Sequence, residues 1–364
     1  MKPFAKQLLH FLRDNTLRMI PVALCRGPGG TMLLAGEERW SRYFLQRFHG
    51  EDWSREELGL FRAWEIPEVL TRHASNADIV IARLDTFSTN LLTMPNFLRV
   101  PEWVRMVARV PSSNKCFTSR SAKEDLRSIK KNGLSWRISH DPLELRRHLE
   151  RDYYPYTRLR HGEDAYVQPR PVLRKAFKDG GLLVVEINSQ PVAGLIFEKR
   201  GSTMQMWTIA CSESDESLLS KRAMAAVYAF SFEYARSTGL DFVDMRGCRP
   251  CPADSLFFVK QKWGAQVQEH GELAFEFLVQ WHAANERVLE FLEKTPLIFR
   301  ENESLSVIGT AQGEPRVRWR EAGLSRFHVL SPGKIGQLSN PMAIEPTALE
   351  IKNQIAGRHV LLSE

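Results

Sequence analysis

The clearest periodicity in the chain lies in its middle third. Apolar runs over residues 182–187 and 192–199 are broken by Asn188-Ser189-Gln190, and a third run over 203–210 follows Gly201-Ser202. Runs of this length bounded by turn residues predict three antiparallel strands in a meander. Leu218, Leu219, Ala223, Ala226, Val227, Phe230 and Tyr234 then recur at helical spacing up to Gly239, which predicts a long helix over 218–237. A strand is expected over 240–245. Short β segments near 265–269 and 273–278 lead into an extended helix over 279–293.

Upstream of the meander, residues 119–132 read as a basic helix carrying Arg120, Lys123, Arg127, Lys130 and Lys131, with Gly133 at the C-cap position. A strand over 134–138 follows. Asp141-Pro142 marks the start of a helix running toward Tyr153, and a further helix over 170–178 stops at Gly180-Gly181. The first third is less regular. Its best signal is a buried strand within ADIVIARL, residues 77–84, and Pro111-Ser112-Ser113-Asn114 reads as a linker. At 364 residues the chain exceeds one ordinary core. The expected division is an N-terminal domain over 1–114, a central α/β domain over 115–294 and a C-terminal extension over 295–364.

Composition narrows the class. Apolar residues at 43% and charged residues at 26% describe a folded globular protein. Lys and Arg number 50 against 43 Asp and Glu, and the resulting charge of +7 favours an anionic partner such as coenzyme A, a nucleotide-linked sugar, tRNA or an acidic lipid surface. Five scattered cysteines point to a reducing, cytoplasmic location. Cys248 and Cys251 form a C-x-x-C interleaved with Pro250 and Pro252, which reads as a stiffened turn. A metal site would want a second pair or two nearby histidines, and neither follows, so no metal is expected. Redox regulation through the two thiols is the weaker alternative. No segment reaches the ~18–20 apolar residues of a membrane span. The basic, mildly amphipathic residues 1–24 allow contact with a membrane surface without crossing it. A serine-hydrolase elbow, a P-loop and a dinucleotide fingerprint are all missing.

The element order strand, two helices, three-stranded meander, long helix, strand, short helix and hairpin is that of a GNAT domain. Such a sheet splays open between the last meander strand and the strand after the long helix, and the wedge admits an extended acyl donor. Three stretches sharpen the resemblance. Asp241 to Gly247 (DFVDMRG) followed by Phe257 to Gly264 (FFVKQKWG) resembles the closing signature of FemAB-like and CelD-like acyltransferases. Residues 183–196 (LVVEINSQPVAGLI) resemble the hairpin found throughout GNAT-type domains. Tyr153-Tyr154-Pro155-Tyr156 with Arg158, Arg160, His161 and Gly162 resembles the tyrosine-rich, basic segment of this group. The resemblance covers about residues 119–280. It implies an α/β (α+β) fold with a GNAT-like mixed, mostly antiparallel splayed sheet flanked by helices. A degenerate first GNAT half within residues 1–114 would make the arrangement tandem.

The activity so implied is transfer of an acyl or aminoacyl group to an amine on a small-molecule or envelope-precursor acceptor, in cell-envelope or exopolysaccharide biosynthesis. Such chemistry needs a neutral nucleophile, stabilisation of an oxyanion and a proton for the leaving group. Carried over from the FemAB-like pattern, Lys260 is the electrostatic stabiliser. Asp244 acts as base or orients the amine; the alternatives are an acid paired with Arg246 or capping the next turn. Tyr154 and Tyr156 offer a phenol proton. Arg158, Arg160 and His161 form a clamp for phosphate or carboxylate, and Arg246 and Trp263 complete the acceptor side. On the donor side, Ile209 and Ala210 end the strand that would pair with an acyl-CoA or the aminoacyl end of a charged tRNA. The glycine-rich turn of acyl-CoA-dependent GNAT enzymes is replaced by Ser212-Glu213-Ser214-Asp215-Glu216-Ser217, three acids and no glycine. Lys221 and Arg222 compensate only in part, so the aminoacyl-tRNA branch fits at least as well. The rival reading from another class is a catalytically inactive GNAT-fold module that binds nucleic acid or another polyanion through its basic face.

Overall fold

The computed structural model describes residues 17–92, 94, 96–162, 167–212, 221–269, 275–281, 285–302, 304–310 and 322–330. The described residues form two compact units, one of those within 1–104, 249–254 and 269–364, the other of those within 105–248 and 255–268. In the first unit β1 (Ile20–Gly27) and β2 (Gly30–Ala35) make a hairpin, paired from Val22↔Ala35 to Gly27↔Gly30. Helix α1 (Glu38–His49) leads to β3 (Ser54–Phe61), which pairs antiparallel to β1 on the outer edge. Helix α2 (Ile66–His73) then carries the chain back to β4 (Ile79–Asp85), parallel to β2. Helix α3 (Thr86–Leu91) and β5 (Leu98–Pro101) follow. The predicted strand in ADIVIARL is β4, and both its faces are buried. Ile79 and Ile81 join one core with Met32, Leu34 and Phe44, while Val80, Ala82 and Leu84 join another with Leu33, Ile66 and Leu70. An uninterrupted apolar run is what a strand covered on both sides requires.

The second unit opens with β6 (Val104–Arg109). Helix α4 (Arg120–Lys131) begins at Ser119, whose Oγ accepts the Ala122 N–H at 3.1 Å. After β7 (Leu134–Ser139), Asp141 caps α5 (Pro142–Arg147) by accepting the Leu143 N–H at 2.8 Å. The helix passes through a π-turn over His148–Tyr153 into α6 (Tyr154–His161), and α7 (Arg170–Asp179) follows. The meander is β8 (Gly180–Ile187), β9 (Gln190–Arg200) and β10 (Thr203–Cys211). Asn188 and Ser189, with φ of 50° and 64°, make the β8–β9 turn that suits the strand twist. Helix α8 (Ala223–Ser237), β11 (Phe242–Cys248), α9 (Ser255–Lys262) and β12 (Gln266–Gln268) complete the unit. The predicted long helix is thus observed from Ala223; residues 218–220 lie outside the described residues. The sheet order is β12-β6-β11-β10-β9-β8-β7. Strands β7 to β10 are mutually antiparallel, and β11 is parallel to β10. On one face Leu145, Leu149, Tyr153, Leu173 and Phe177 pack on Leu182, Val184, Ile196 and Ala210. On the other lies α8, apolar on most sides and therefore buried along most of its length.

The chain then returns to the first unit. Strand β13 (Phe275–Trp281) inserts between β4 and β5, antiparallel to both. Helix α10 (Glu286–Lys294) starts at Asn285, whose side-chain oxygen accepts the Val288 N–H at 3.0 Å. Strands β14 (Leu297–Glu301), β15 (Ser304–Thr310) and β16 (Phe327–Leu330) extend the edge, giving the order β16-β15-β14-β5-β13-β4-β2-β1-β3. Two expectations are corrected here. The boundary falls after residue 104 instead of 114, and the described residues from 275 to 294 belong to the first unit, whose sheet takes in β13 and the described strands after 295. Residues 279–281 continue a strand instead of opening a helix, because Phe277 and Val279 fill one core while Leu278 fills the other. Among the described residues no helix is long and apolar enough to cross a membrane. Of residues 1–24, which were read as able to touch a membrane surface, residues 1–16 lie outside the described residues and residues 20–24 open β1.

Close packing of the second unit at β9 yields a test. A Cβ added to Gly194 would lie 2.9 Å from His148 Nδ1 and 3.0 Å from its Cε1. Gly194→Ala is expected to lower unfolding stability by about 1–3 kcal/mol, measured by urea denaturation. Most of that loss should vanish in a His148→Ala background; a loss of equal size there would refute the assignment of the contact.

Candidate active site

The sheet of the second unit opens at the parallel pair of β10 and β11. Strand β10 pairs with β9 from Thr203↔Arg200 to Cys211↔Ala193, with a register shift between Met206 and Thr208 that leaves Trp207 as the extra residue. A bulge of this kind bends the strand and increases its twist. Accordingly, β10 pairs with β11 only over Thr203–Gln205 against Phe242–Asp244. Beyond that point the β10 edge runs on to Cys211 past Ile209 and Ala210, while β11 runs to Cys248. Ala210 sends its side chain into the core, so its contribution to the wedge is its backbone.

The end of β11 is clamped from two sides. Asp244 is fully buried, and its Oδ2 accepts from Arg105 Nε at 3.0 Å and Nη2 at 2.7 Å. Its Oδ1 accepts the Arg246 N–H at 2.8 Å. Arg246 sits in the left-handed region with φ of 63°, a conformation that costs a non-glycine residue about 1 kcal/mol. Buried Lys260 of α9 donates to the Gly247 carbonyl at 2.6 Å and to the Arg246 carbonyl at 3.3 Å. Both side chains therefore fix one turn, and that turn lays the Arg246 guanidinium over the Trp207 ring at 4.1 Å. Burial disfavours the Arg246 charge, and Asp244 partly offsets this. Among the described residues the guanidinium has no hydrogen-bond or ion-pair partner. Trp207 is itself oriented by its indole N–H, which donates to buried Glu198 at 3.0 Å.

Two phenols lie near the strand ends. Burial pushes the Tyr156 phenol up, opposed by Arg160, and Cys211 at the end of β10 is among its electrostatic neighbours. Tyr228 of α8 is buried and shifted the same way, with Tyr156 and Cys248 as its neighbours. The Arg160 guanidinium lies 5.5 Å from the Tyr156 ring centre. Tyr154, by contrast, packs against Tyr153 at 5.3 Å with Arg170 at 5.3 Å over its ring. Arg158 is exposed, and the His161 side chain lies outside the described residues.

The remaining predicted residues sit elsewhere. Trp263 is 1% exposed and packs on Phe117 at 5.1 Å and Tyr228 at 6.4 Å, so it is a core residue that anchors α9 instead of a surface for substrate. Arg222 turns to α4, 3.5 Å from Asp125 and 3.9 Å from Glu124, and the Lys221 carbonyl accepts from Asn132 Nδ2 at 3.1 Å. Of the acidic turn, Ser212 is described and residues 213–217 lie outside the described residues. All five cysteines are free, and Cys248 and Cys251 are fully buried. The sequence reading missed Trp207, Tyr228 and Arg105. Trp207 carried one signal, an aromatic residue inside a predicted strand; the bulge that turns it into the wedge has none.

No protein-family model and no curated protein matches the chain. Among solved structures, FemX is similar over 73% of this chain and 85% of its own, at 12% identity and a TM-score of 0.38. L-PGS from Bacillus licheniformis is similar over 78% and 94%, at 12% identity and a TM-score of 0.35. An acetyltransferase from Bacillus subtilis in complex with CoA is similar over 41% and 98%, at 13% identity and a TM-score of 0.28. The fold assignment rests on the strand order and not on these values.

Geometry separates stability from chemistry at β11. Replacing Arg246 by glycine relieves about 1 kcal/mol of backbone strain and removes a cation–π contact of similar size. Arg246→Gly should therefore unfold within about 1 kcal/mol of the parent chain in chemical denaturation. Asp244→Asn leaves Arg105 without its counter-charge and should cost about 2–3 kcal/mol. Equal losses in the two variants would mean that Arg246 is structural. Strand order, bulged β10, parallel and splayed β11, and the placement of α5 to α8 together give the second unit the GNAT-like mixed, mostly antiparallel splayed sheet flanked by helices that the element order predicts.

Proposed function

We propose that the chain transfers an acyl or aminoacyl group to an amine in the wedge between β10 and β11. The observation that carries this reading is the Arg246 guanidinium, stacked on Trp207 without an ion-pair partner among the described residues and held at the splayed edge by a turn that Asp244 and Lys260 fix. A neutral amine attacks the acyl carbonyl carbon, and the carbonyl oxygen becomes an oxyanion beside Arg246. Collapse breaks the bond to the donor's sulfur or ribose oxygen. The proton lost by the amine passes to that leaving group, with the Tyr156 phenol as the relay, since burial keeps it protonated at neutral pH. In this reading Lys260 and Asp244 act through Arg246 as positioning groups, although Lys260 was first expected to stabilise charge directly and Asp244 to serve as base or orienting group. Arg160 and Arg158 line the approach, and Tyr154 supports α6.

The acceptor is an amine on a small molecule or an envelope precursor, and the donor is acyl-CoA or aminoacyl-tRNA. Pairing of Arg222 with the acids of α4 leaves little cation for a pyrophosphate near α8, which favours the tRNA donor. We read the first unit as the degenerate GNAT half on the strength of its parallel β2/β4 pair within an otherwise largely antiparallel sheet. The inactive, polyanion-binding reading is supported by the basic face of α4.

Thermal shift with acetyl-CoA, long-chain acyl-CoA and charged tRNA selects the donor, because a ligand at about 100 times its Kd adds ~2.7 kcal/mol. With the donor in hand, Arg246→Gly should bind it and lose about 10²–10³ in turnover, and Tyr156→Phe should lose about 10². Retained turnover in Arg246→Gly would remove the proposed site. Salt-sensitive tRNA binding without any turnover would place the polyanion-binding reading first.

A further inference from the structure

The face of the second unit that carries α4 and α8 holds a groove of about 630 Å³ that the acyl-transfer wedge does not use. That is the size of an ordinary small-molecule site. Its floor is apolar and recessed: Phe117, Ile129, Leu134 and Phe230 line it and are each at most 9% exposed. Its rim is cationic, formed by Lys115, Lys123, Arg127 and Lys130. The last three stand at positions i, i+4 and i+7 of one helix and so share a face, where like charges repel.

Among the described residues Lys115, Lys123, Arg127 and Lys130 make no ion pair. The acids of α4 are turned away, Asp125 to Lys262 at 2.6 Å and to Arg222 at 3.5 Å, and Glu124 to Arg222 at 3.9 Å. Glu233 also borders the groove, its carboxylate accepting from Asn114 Nδ2 at 2.8 Å and Trp136 Nε1 at 3.0 Å, so one anion offsets only part of the charge of four cations. Four cations around an apolar trough call for an occupant with an anionic end and an apolar body.

The shape narrows the class further. Because the floor residues are sunk and do not project, this face has nothing to insert into a bilayer, and the occupant must enter the groove. Single-stranded nucleic acid would use exposed aromatic faces for stacking, whereas the Phe117 ring meets Phe232 and Trp263 edge-on at 5.1 Å each and Phe230 lies 6.3 Å from Trp136. We propose that the groove between α4 and α8 binds a single-chain anionic amphiphile from solution, with the alkyl chain on the Phe117–Ile129–Phe230 floor and the anionic head among Lys123, Arg127 and Lys130.

The test is calorimetric titration of the full chain with monomeric dodecyl phosphate, below its micelle concentration. Dodecyl maltoside, inorganic phosphate and a single-stranded oligonucleotide serve as comparators. Saturable 1:1 binding of dodecyl phosphate is expected, with the neutral amphiphile and inorganic phosphate each weaker by at least about tenfold. Lys123→Glu with Arg127→Glu should weaken it by at least about tenfold, and Leu126→Trp, at a half-buried position that lines the groove, should abolish it by filling the trough. The comparison among ligands needs no variant and stands even where a variant unfolds. Equal affinity for the neutral amphiphile, unchanged binding in Leu126→Trp, or an oligonucleotide that binds as tightly as dodecyl phosphate would each overturn the assignment.

Discussion

A single buried carboxylate organises the second unit's candidate site. Asp244 is fully buried at the point where β10 and β11 stop pairing, and both of its oxygens are engaged. A buried charge of this kind is tolerated only when it is paired and hydrogen-bonded. Arg105 supplies the pairing, and the Arg246 amide supplies the remaining bond. That bond, with the Lys260 bonds to the Arg246 and Gly247 carbonyls, holds the turn in which Arg246 takes a left-handed conformation, and the turn fixes where the Arg246 side chain goes. Electrostatics at one residue thus sets the direction of a guanidinium on the neighbouring turn.

The opposing wall of the wedge has a mechanical origin. One extra residue in β10 bends the strand away from β11, and the bulged residue is the tryptophan on which Arg246 rests. Lys260 then holds the carbonyls on the far side of the turn. Strain at Arg246 is thereby balanced by contacts from β6, β10 and α9, none of them adjacent in sequence. Residues held in unfavourable conformations by their surroundings cluster at functional positions, and this one faces an open strand edge.

Much of this unit was legible in the sequence because its signals are local. The meander was marked by its turns, and observed β8, β9 and β10 differ from the expected spans by no more than a few residues at each end. Ser119, Asp141 and Gly133 act as caps because their chemistry depends on neighbours a few residues away. What escaped was non-local. Arg105 reaches Asp244 across 139 residues, and no periodicity announces that pairing. The π-turn over His148–Tyr153 hid inside what reads as one continuous helix. Residues 279–281 misled because their place in a strand depends on β4 and β5, which pair with its two edges from far away in the sequence. Trp263 misled for the converse reason: a signature residue beside glycine suggests a site, while its size commits it to the core.

Everything proposed for the second unit requires that the wedge between β10 and β11 receive the acyl donor. Backbone hydrogen exchange with and without the donor chosen by thermal shift examines that claim residue by residue. Slowed exchange at the β10 amides of residues 207–211, together with residues 245–248 of β11, is the predicted result, since an extended donor pairs with the exposed edge. Protection confined to α4 and α8, with the β10 edge exchanging as it does in the free protein, would contradict it.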